Sequence, residues 1–141
     1  MSETVHATAV IVGAEGVLIR GASGSGKSAL ALLLIERGAR LIADDRLTLS
    51  SVHGRILASA SSAIAGKIEL RGRGIISVPH EQSGVIRLVA DIVEEEGLER
   101  MPEPHHLTTT LLGIALPRQP VPRATEPAAR LVEAALAGSA T

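Results

Sequence analysis

Residues 21–28 read Gly21-Ala22-Ser23-Gly24-Ser25-Gly26-Lys27-Ser28 and match G-x-x-x-x-G-K-[ST], the pattern of a phosphate-binding loop. Ahead of them lies Gly16-Val17-Leu18-Ile19-Arg20, a short apolar strand. Behind them lies Ala29-Leu30-Ala31-Leu32-Leu33-Leu34-Ile35-Glu36-Arg37, a strong helix former closed by Gly38. The bare string also describes a glycine turn before a buried helix. Strand, glycine loop and helix in that order favour the phosphate reading. The glycines let the backbone curl so that successive N–H groups face phosphate oxygens, and the helix N-terminus adds partial positive charge. All eight residues would then hold the nucleotide phosphates, with Lys27 on the β/γ-phosphates and the Ser28 hydroxyl on Mg²⁺.

Outward from the loop, composition bounds the rest. At 141 residues the chain is read as one domain, 1–141, long enough for its own core. Fourteen Lys and Arg against 15 Asp and Glu leave a net charge of -1, so no basic field draws it to nucleic acid or acidic membrane. With no Cys there is no disulfide framework or thiolate metal site. Met1-Ser2-Glu3-Thr4-Val5-His6 is not a signal peptide, and the longest apolar run, Ala29 to Ile35, is too short to span a bilayer. The expectation is a soluble cytoplasmic protein. Phe, Tyr and Trp are all absent, so the core must be aliphatic. A bound base would find no ring to stack on, which leaves affinity to the phosphates.

Val5 to Val12 reads as a strand, joined by Gly13-Ala14-Glu15-Gly16 to the strand before the loop as a hairpin. The helix from Lys27 to Arg37 is apolar nearly all round and should lie between layers, with Gly38 as its left-handed terminator. Arg40-Leu41-Ile42-Ala43 then forms a strand, and strand–helix–strand implies a partly parallel sheet. Short strands follow at Arg46 to Ser50, Arg55 to Ala58, Lys67 to Leu70, Gly74 to Val78 and Val85 to Val93. Glu94-Glu95-Glu96 reads as a solvated charge run and Leu98 to Pro104 as an exposed loop. Six prolines from Pro102 to Pro127 predict an irregular C-terminal third. A last helix, Ala128 to Ala137, carries Leu131, Ala134, Ala135 and Leu136 on its apolar side.

Asp44 and Asp45 close an apolar strand directly after the loop helix. Ligands in open α/β sheets lie at the carboxyl ends of strands. Phosphoryl transfer needs one carboxylate for Mg²⁺ and another for the acceptor's proton, and two adjacent acids could divide those tasks. The alternative is that one of them caps a turn to Arg46. Glu69, Arg71, Gly72, Arg73 and Gly74 form a second polar cluster. It reads equally as a phosphate-facing arginine pair or as a β-turn with solvated charges. His6 is by itself an ordinary strand histidine. His53, His80, His105 and His106 lack metal-ligand spacing.

Four features together resemble the C-terminal catalytic domain of HPr kinase/phosphorylase. They are Val5-His6, with His6 fifteen residues before Gly21, the loop itself, the run from Glu36-Arg37-Gly38 to Ala43-Asp44-Asp45, and Ile68-Glu69-Leu70-Arg71-Gly72-Arg73-Gly74-Ile75-Ile76. Leu112-Gly113-Ile114-Ala115-Leu116-Pro117 also resembles the strand before that family's last loop and helix. The resemblance implies an α/β kinase domain with a mixed sheet around a buried loop helix and a C-terminal helix. It implies ATP and Mg²⁺, transfer of phosphate to a serine of HPr, the phosphocarrier of the sugar phosphotransferase system, and removal of that phosphate by inorganic phosphate to give pyrophosphate. By matching positions, Asp44 would be the base, with His6 beside it, Lys27 on the phosphates and Arg71 completing the site. Ser28, Asp45 and Glu69 would serve the metal. A homo-oligomer, hexameric in the family, is implied too.

The chain departs from the family pattern in places. The family's large N-terminal domain is missing, which makes these 141 residues resemble a short, kinase-domain-only form. Ala29 stands where an acid is usual and Arg73 where Leu is usual. Ala124-Thr125-Glu126-Pro127 replaces the usual sequence around Arg123. Glu126 near Arg123 would repel phosphate, so the reverse reaction is expected to be weak. Two competing readings remain: another P-loop kinase acting on a small molecule, and a nucleotide-sensing regulator without transfer.

Overall fold

A computed structural model describes residues 1–123 and 125–139, so Ala124 and the last two residues lie outside the described residues. The segment from Val5 to Val12 is two strands, β1 (Ser2–Val5) and β2 (Thr8–Val12), with His6 in the bend between them and not on a strand. β2 forms the expected antiparallel hairpin with β3 (Glu15–Arg20). Val17, Leu18 and Ile19 of β3 are each no more than 1% exposed, because both faces of this strand are covered. Their unbroken apolar run is what such double coverage demands. The helix α1 (Lys27–Glu36) follows the loop and ends where Gly38 adopts φ 104°. It buries Leu30, Ala31 and Leu34, while Leu32, Leu33 and Ile35 are only half covered.

β4 (Arg40–Ala43) pairs antiparallel with the far edge of β2. It therefore runs in the same direction as β3, with β2 between them. Next come β5 (Leu47–Val52) and β6 (Arg55–Ser59). The hairpin β7 (Lys67–Leu70) and β8 (Gly74–Ser77) stands apart as a two-stranded sheet among the described residues. The long β9 (Ser83–Ile92) lies parallel to β3. The strand order is β1-β5-β6-β9-β3-β2-β4, a mixed sheet as expected. β9 is shared. Ser83 to Val85 pair with β6, and Val89 to Ile92 pair with the second of two C-terminal strands.

Those C-terminal strands, β10 (Thr108–Leu111) and β11 (Ile114–Val121), correct the expectation of an irregular last third. Pro117 and Pro120 both lie within β11. Ile114 to Pro117 pair with β10 and Arg118 to Val121 with β9, so each half has one recorded partner, the kind of edge position that accepts proline. The acidic run and Leu98 to Pro104 are largely exposed, as expected. The closing helix α2 (Glu126–Ser139) buries Ala128, Ala129, Val132 and Leu136. Ala134, assigned to its apolar side, is exposed, because the four-residue spacing of the docked face selects Val132 instead. No helix among the described residues is long and apolar enough to cross a membrane.

Period-two alternation divides the aliphatic core between the faces of the sheet. Val10, Val17, Ile19, Leu88 and Ala90 pack under α1 and α2. Ala9, Ile11, Leu18 and Val89 pack against Leu47, Leu49, Ile56 and Leu111 on the other face. Ile86 joins the second group although Leu88 joins the first. The register of β9 against β3 skips Arg87, since Gly16 opposes Ile86 and Val17 opposes Leu88, and a bulge of this kind turns successive side chains to the opposite face.

At the far end of these strands Arg20 opposes Asp91. Arg20 donates from Nε and Nη2 to both Asp91 oxygens, at 2.8 and 2.9 Å, and Arg118 Nε donates to Oδ2. Burial opposes ionisation of this carboxyl, but the hydrogen bonds from the two arginines prevail and hold Asp91 below the usual carboxylate range. A depressed folded value contributes stability that is present above the unfolded value, about 3.9, and is lost as pH falls through the folded one. Chemical denaturation should show Asp91→Asn less stable than wild type near neutral pH, with the gap closing below about pH 4. A gap that stays constant down to about pH 3 would refute this pairing as the source.

Candidate active site

The loop leaves β3 at Gly21 and enters α1 at Gly26, whose φ of 104° admits no β-carbon without strain. Gly26 caps α1 without any side-chain hydrogen bond, so the first N–H groups of the helix have no side-chain acceptor. A β-carbon on Gly21 would strike the Ser25 hydroxyl, which explains the glycine at the other end of the loop. Lys27 folds back over the loop, donating from Nζ to the Gly21 and Ala22 carbonyls at 3.0 and 3.1 Å. Ser25 Oγ is buried and is the orphaned side-chain polar atom among the described residues. A buried hydroxyl without a partner is costly and is satisfied when a ligand supplies one.

Ser28, one turn into the site, donates to Asp44 Oδ1 at 2.6 Å. Thr8 Oγ1 donates to the same oxygen at 3.0 Å and accepts from the Asp45 backbone N–H at 3.2 Å. The Arg46 N–H bonds back to the Asp44 carbonyl at 2.8 Å around Asp45, whose φ is 70°. This is a three-residue γ-turn with a positive central φ, a strained form that Asp tolerates better than most residues. The turn reading of the pair is seen here. Asp45 centres a tight turn to Arg46, and that turn leaves the Asp44 carboxylate on Ser28.

A cleft of about 530 Å³ opens in front of the loop. Ser25 to Ser28 form one wall, Glu69, Leu70 and Arg71 from the β7–β8 hairpin another, and Arg123 closes it from the C-terminal side. The hairpin turns through Arg71, Gly72 and Arg73, with the Arg73 N–H on the Leu70 carbonyl at 2.9 Å. Ile68 alone of β7 is buried, and it packs into the core beneath α1. Arg123 Nη1 donates to the Gly24 carbonyl at 3.4 Å.

The expected residues do not all converge. Lys27, Ser28, Glu69 and Arg71 line the cleft, and Asp44 reaches it through Ser28. Asp45 is exposed, and Ser28 bonds Asp44. His6 is exposed and forms no hydrogen bond with Asp44 among the described residues. Thr8, two residues on, holds that position and is fully buried. Sequence reasoning passed over Thr8, although a lone hydroxyl among Ala7, Ala9 and Val10 was a usable signal. The expected repulsion from Glu126 also changes. Its carboxylate lies 3.8 Å from Nη1 of Arg37, the residue that ends α1.

The donors fit a nucleotide and a magnesium ion. Ser28 Oγ is a hard oxygen donor at the cleft, suited to Mg²⁺ when the ion keeps its remaining positions for carboxylate, phosphate and water. The uncapped start of α1, Lys27 and Arg123 border the same cleft with donors for phosphate, and the orphaned Ser25 hydroxyl lies buried within the loop.

Residues 1–140 match the family model described as the HPr Serine kinase C-terminal domain. The HPr kinase/phosphorylase of Treponema pallidum (strain Nichols) is 35% identical over 130 residues, which is 84% of this chain and 40% of that protein. That of Clostridium tetani is 45% identical over 75 residues, 53% of this chain and 25% of that protein. The chain thus spans a quarter to two fifths of these curated relatives. The solved Hpr(Ser) kinase/phosphatase from Coxiella burnetii superposes with a TM-score of 0.84 at 30% identity, covering 98% of this chain and 96% of that one. The fold, the loop and the family match agree: this chain belongs to the HPr serine kinase C-terminal domain family.

Proposed function

We propose that residues 1–141 act as one cytoplasmic catalytic domain that moves the γ-phosphoryl group of ATP to a serine of an HPr-like phosphocarrier protein. The observation that carries this reading is the 2.6 Å contact between Ser28 and Asp44 at the loop, in a chain of this family. Transfer of this kind is mostly positioning and charge stabilisation. The loop N–H groups and Lys27, released from its two carbonyl contacts, hold the phosphates, and Arg71 and Arg123 flank them. Asp44 takes the proton of the acceptor seryl hydroxyl. The new O–P bond forms as the β–γ bridge breaks, and ADP leaves. Ser28, with help from Asp45 and Glu69, would hold a magnesium ion, which would supply charge neutralisation for the phosphates. His6, exposed beside the start of β2, would act only once a ligand draws it towards Asp44.

The reverse step, in which inorganic phosphate removes the seryl phosphate and pyrophosphate is formed, belongs to the same proposal. With Glu126 drawn towards Arg37, three cations border the cleft without that opposing carboxylate. Family resemblance adds a homo-oligomer to the reading.

Incubation with ATP, Mg²⁺ and HPr, followed by intact-mass analysis, should show one added phosphate on HPr. Transfer to nucleoside monophosphates instead would select the small-molecule kinase. Tight ATP binding without any transfer would select the regulator.

Lys27→Ala should abolish ATP binding in titration calorimetry. Wild type should bind ATP and GTP with similar affinity, since the chain offers no aromatic ring for either base. A strong preference between them would contradict phosphate-dominated binding.

Asp44→Asn should keep nucleotide binding and slow transfer by about 10²–10⁴-fold, the usual loss for a missing general base. Turnover near wild type in this variant would transfer the role to Asp45.

A further inference from the structure

Asp91 lines no part of the cleft, yet it bonds an arginine from each of the two strands that lead into the cleft's loop and its Arg123. Arg20, the last residue of β3, is followed directly by Gly21, the first residue of the loop. Arg118 lies in β11, which runs on to Val121 and then through Pro122 to Arg123 on the Gly24 carbonyl. One carboxylate accepts from both guanidinium groups, while Arg118 Nη1 also donates to the His106 carbonyl at 2.8 Å. Just beyond, the Val93 N–H bonds to the Val121 carbonyl at 3.0 Å, so the ends of β9 and β11 leave the sheet together. The Asp91 side chain is only 14% exposed, and water is poorly placed to substitute for it.

β9 pairs with β3 on one side and β11 on the other, and the Asp91 contacts add a side-chain tie between the two pieces that meet at Gly24. β3 launches the loop from one side of Asp91, and β11 delivers Arg123 from the other. From this geometry we infer that Asp91 is a positioning residue that holds Arg123 in register with the phosphate-binding loop. It acts through Arg20 and Arg118 and touches no phosphate itself. The inference rests on the loop being a nucleotide site, as proposed above. It adds that phosphate affinity depends on a carboxylate outside that site. Removing Asp91, or the Arg118 side of the pair, leaves β11 tied to β9 by backbone pairing alone and loosens the hold on Arg123 at the loop. The loss then resembles the loss of Arg123 itself.

The test uses Asp91→Asn, Arg118→Met, Arg123→Ala and the double variant Asp91→Asn/Arg123→Ala in the full chain. Mg-ATP affinity is read by calorimetry, thermal midpoint by scanning calorimetry, and amide exchange over residues 21–28 without nucleotide. Each single variant should weaken Mg-ATP binding by about tenfold, and the double variant by about tenfold as well, because coupled residues are not additive. Exchange over 21–28 should rise in Arg118→Met. If Asp91→Asn does not fold, Arg118→Met against Arg123→Ala makes the same comparison. Losses that multiply to about a hundredfold in the double variant overturn the inference, as does a lower thermal midpoint with unchanged affinity, which marks a mere brace. Unchanged exchange over 21–28 in Arg118→Met overturns it independently of any ligand. Wild type that binds no Mg-ATP, with exchange responding as expected, defeats the nucleotide reading instead.

Discussion

Burial of β3 on both faces is the constraint from which the rest of the structure follows. Val17, Leu18 and Ile19 are essentially removed from water, each worth about 2 kcal/mol against exposure. Without aromatic side chains the core must cover those faces with many small aliphatic groups. Two helices cover one face, and the strands from Leu47 to Ala58 together with Leu111 cover the other. A strand so enclosed has a fixed end, and its end is where the loop begins.

The chemistry at that end depends on polar groups held by apolar surroundings. Thr8 is fully buried in β2 and satisfies itself on Asp44 and on the Asp45 backbone. A buried hydroxyl bound on both sides is a rigid support, since moving either partner leaves a polar group unpaired. The positive φ at Asp45 is the strain that this support sustains, and strain of this kind gathers at functional sites. Opposite, the β7–β8 hairpin has little of its own core beyond Ile68, and it presents Glu69 and Arg71 to solvent at the edge of the cleft. The site therefore combines a rigid floor with an exposed wall.

Local chemistry made much of this readable in advance. The loop, its helix and Gly38 are legible because glycine, lysine and an apolar run constrain the backbone over a few residues. The strands from Leu47 to Ile92 are legible because turn residues separate β-formers at short intervals. The prolines of β11 misled because their tolerance depends on which edge of the strand is paired, a property of the neighbouring strand. The docked face of α2 misled by one position, Ala134 in place of Val132, because composition leaves several apolar stripes open and packing selects one.

By itself the sequence determined the loop and its cation, the two acids at a strand end, and an aliphatic core with no ring for a base. These are properties of residues close together in the chain. Only the tertiary structure decided that Ser28 meets Asp44 and not Asp45, that Thr8 supports it in place of His6, and that Glu126 turns to Arg37. The tertiary structure also joined Arg20, Asp91 and Arg118, whose chain separations of 71 and 27 residues carry no local signal. The physical reason is the same in each case. A hydrogen bond or an ion pair needs its partners within about 3 Å, and only the packing of the sheet brings those groups that close.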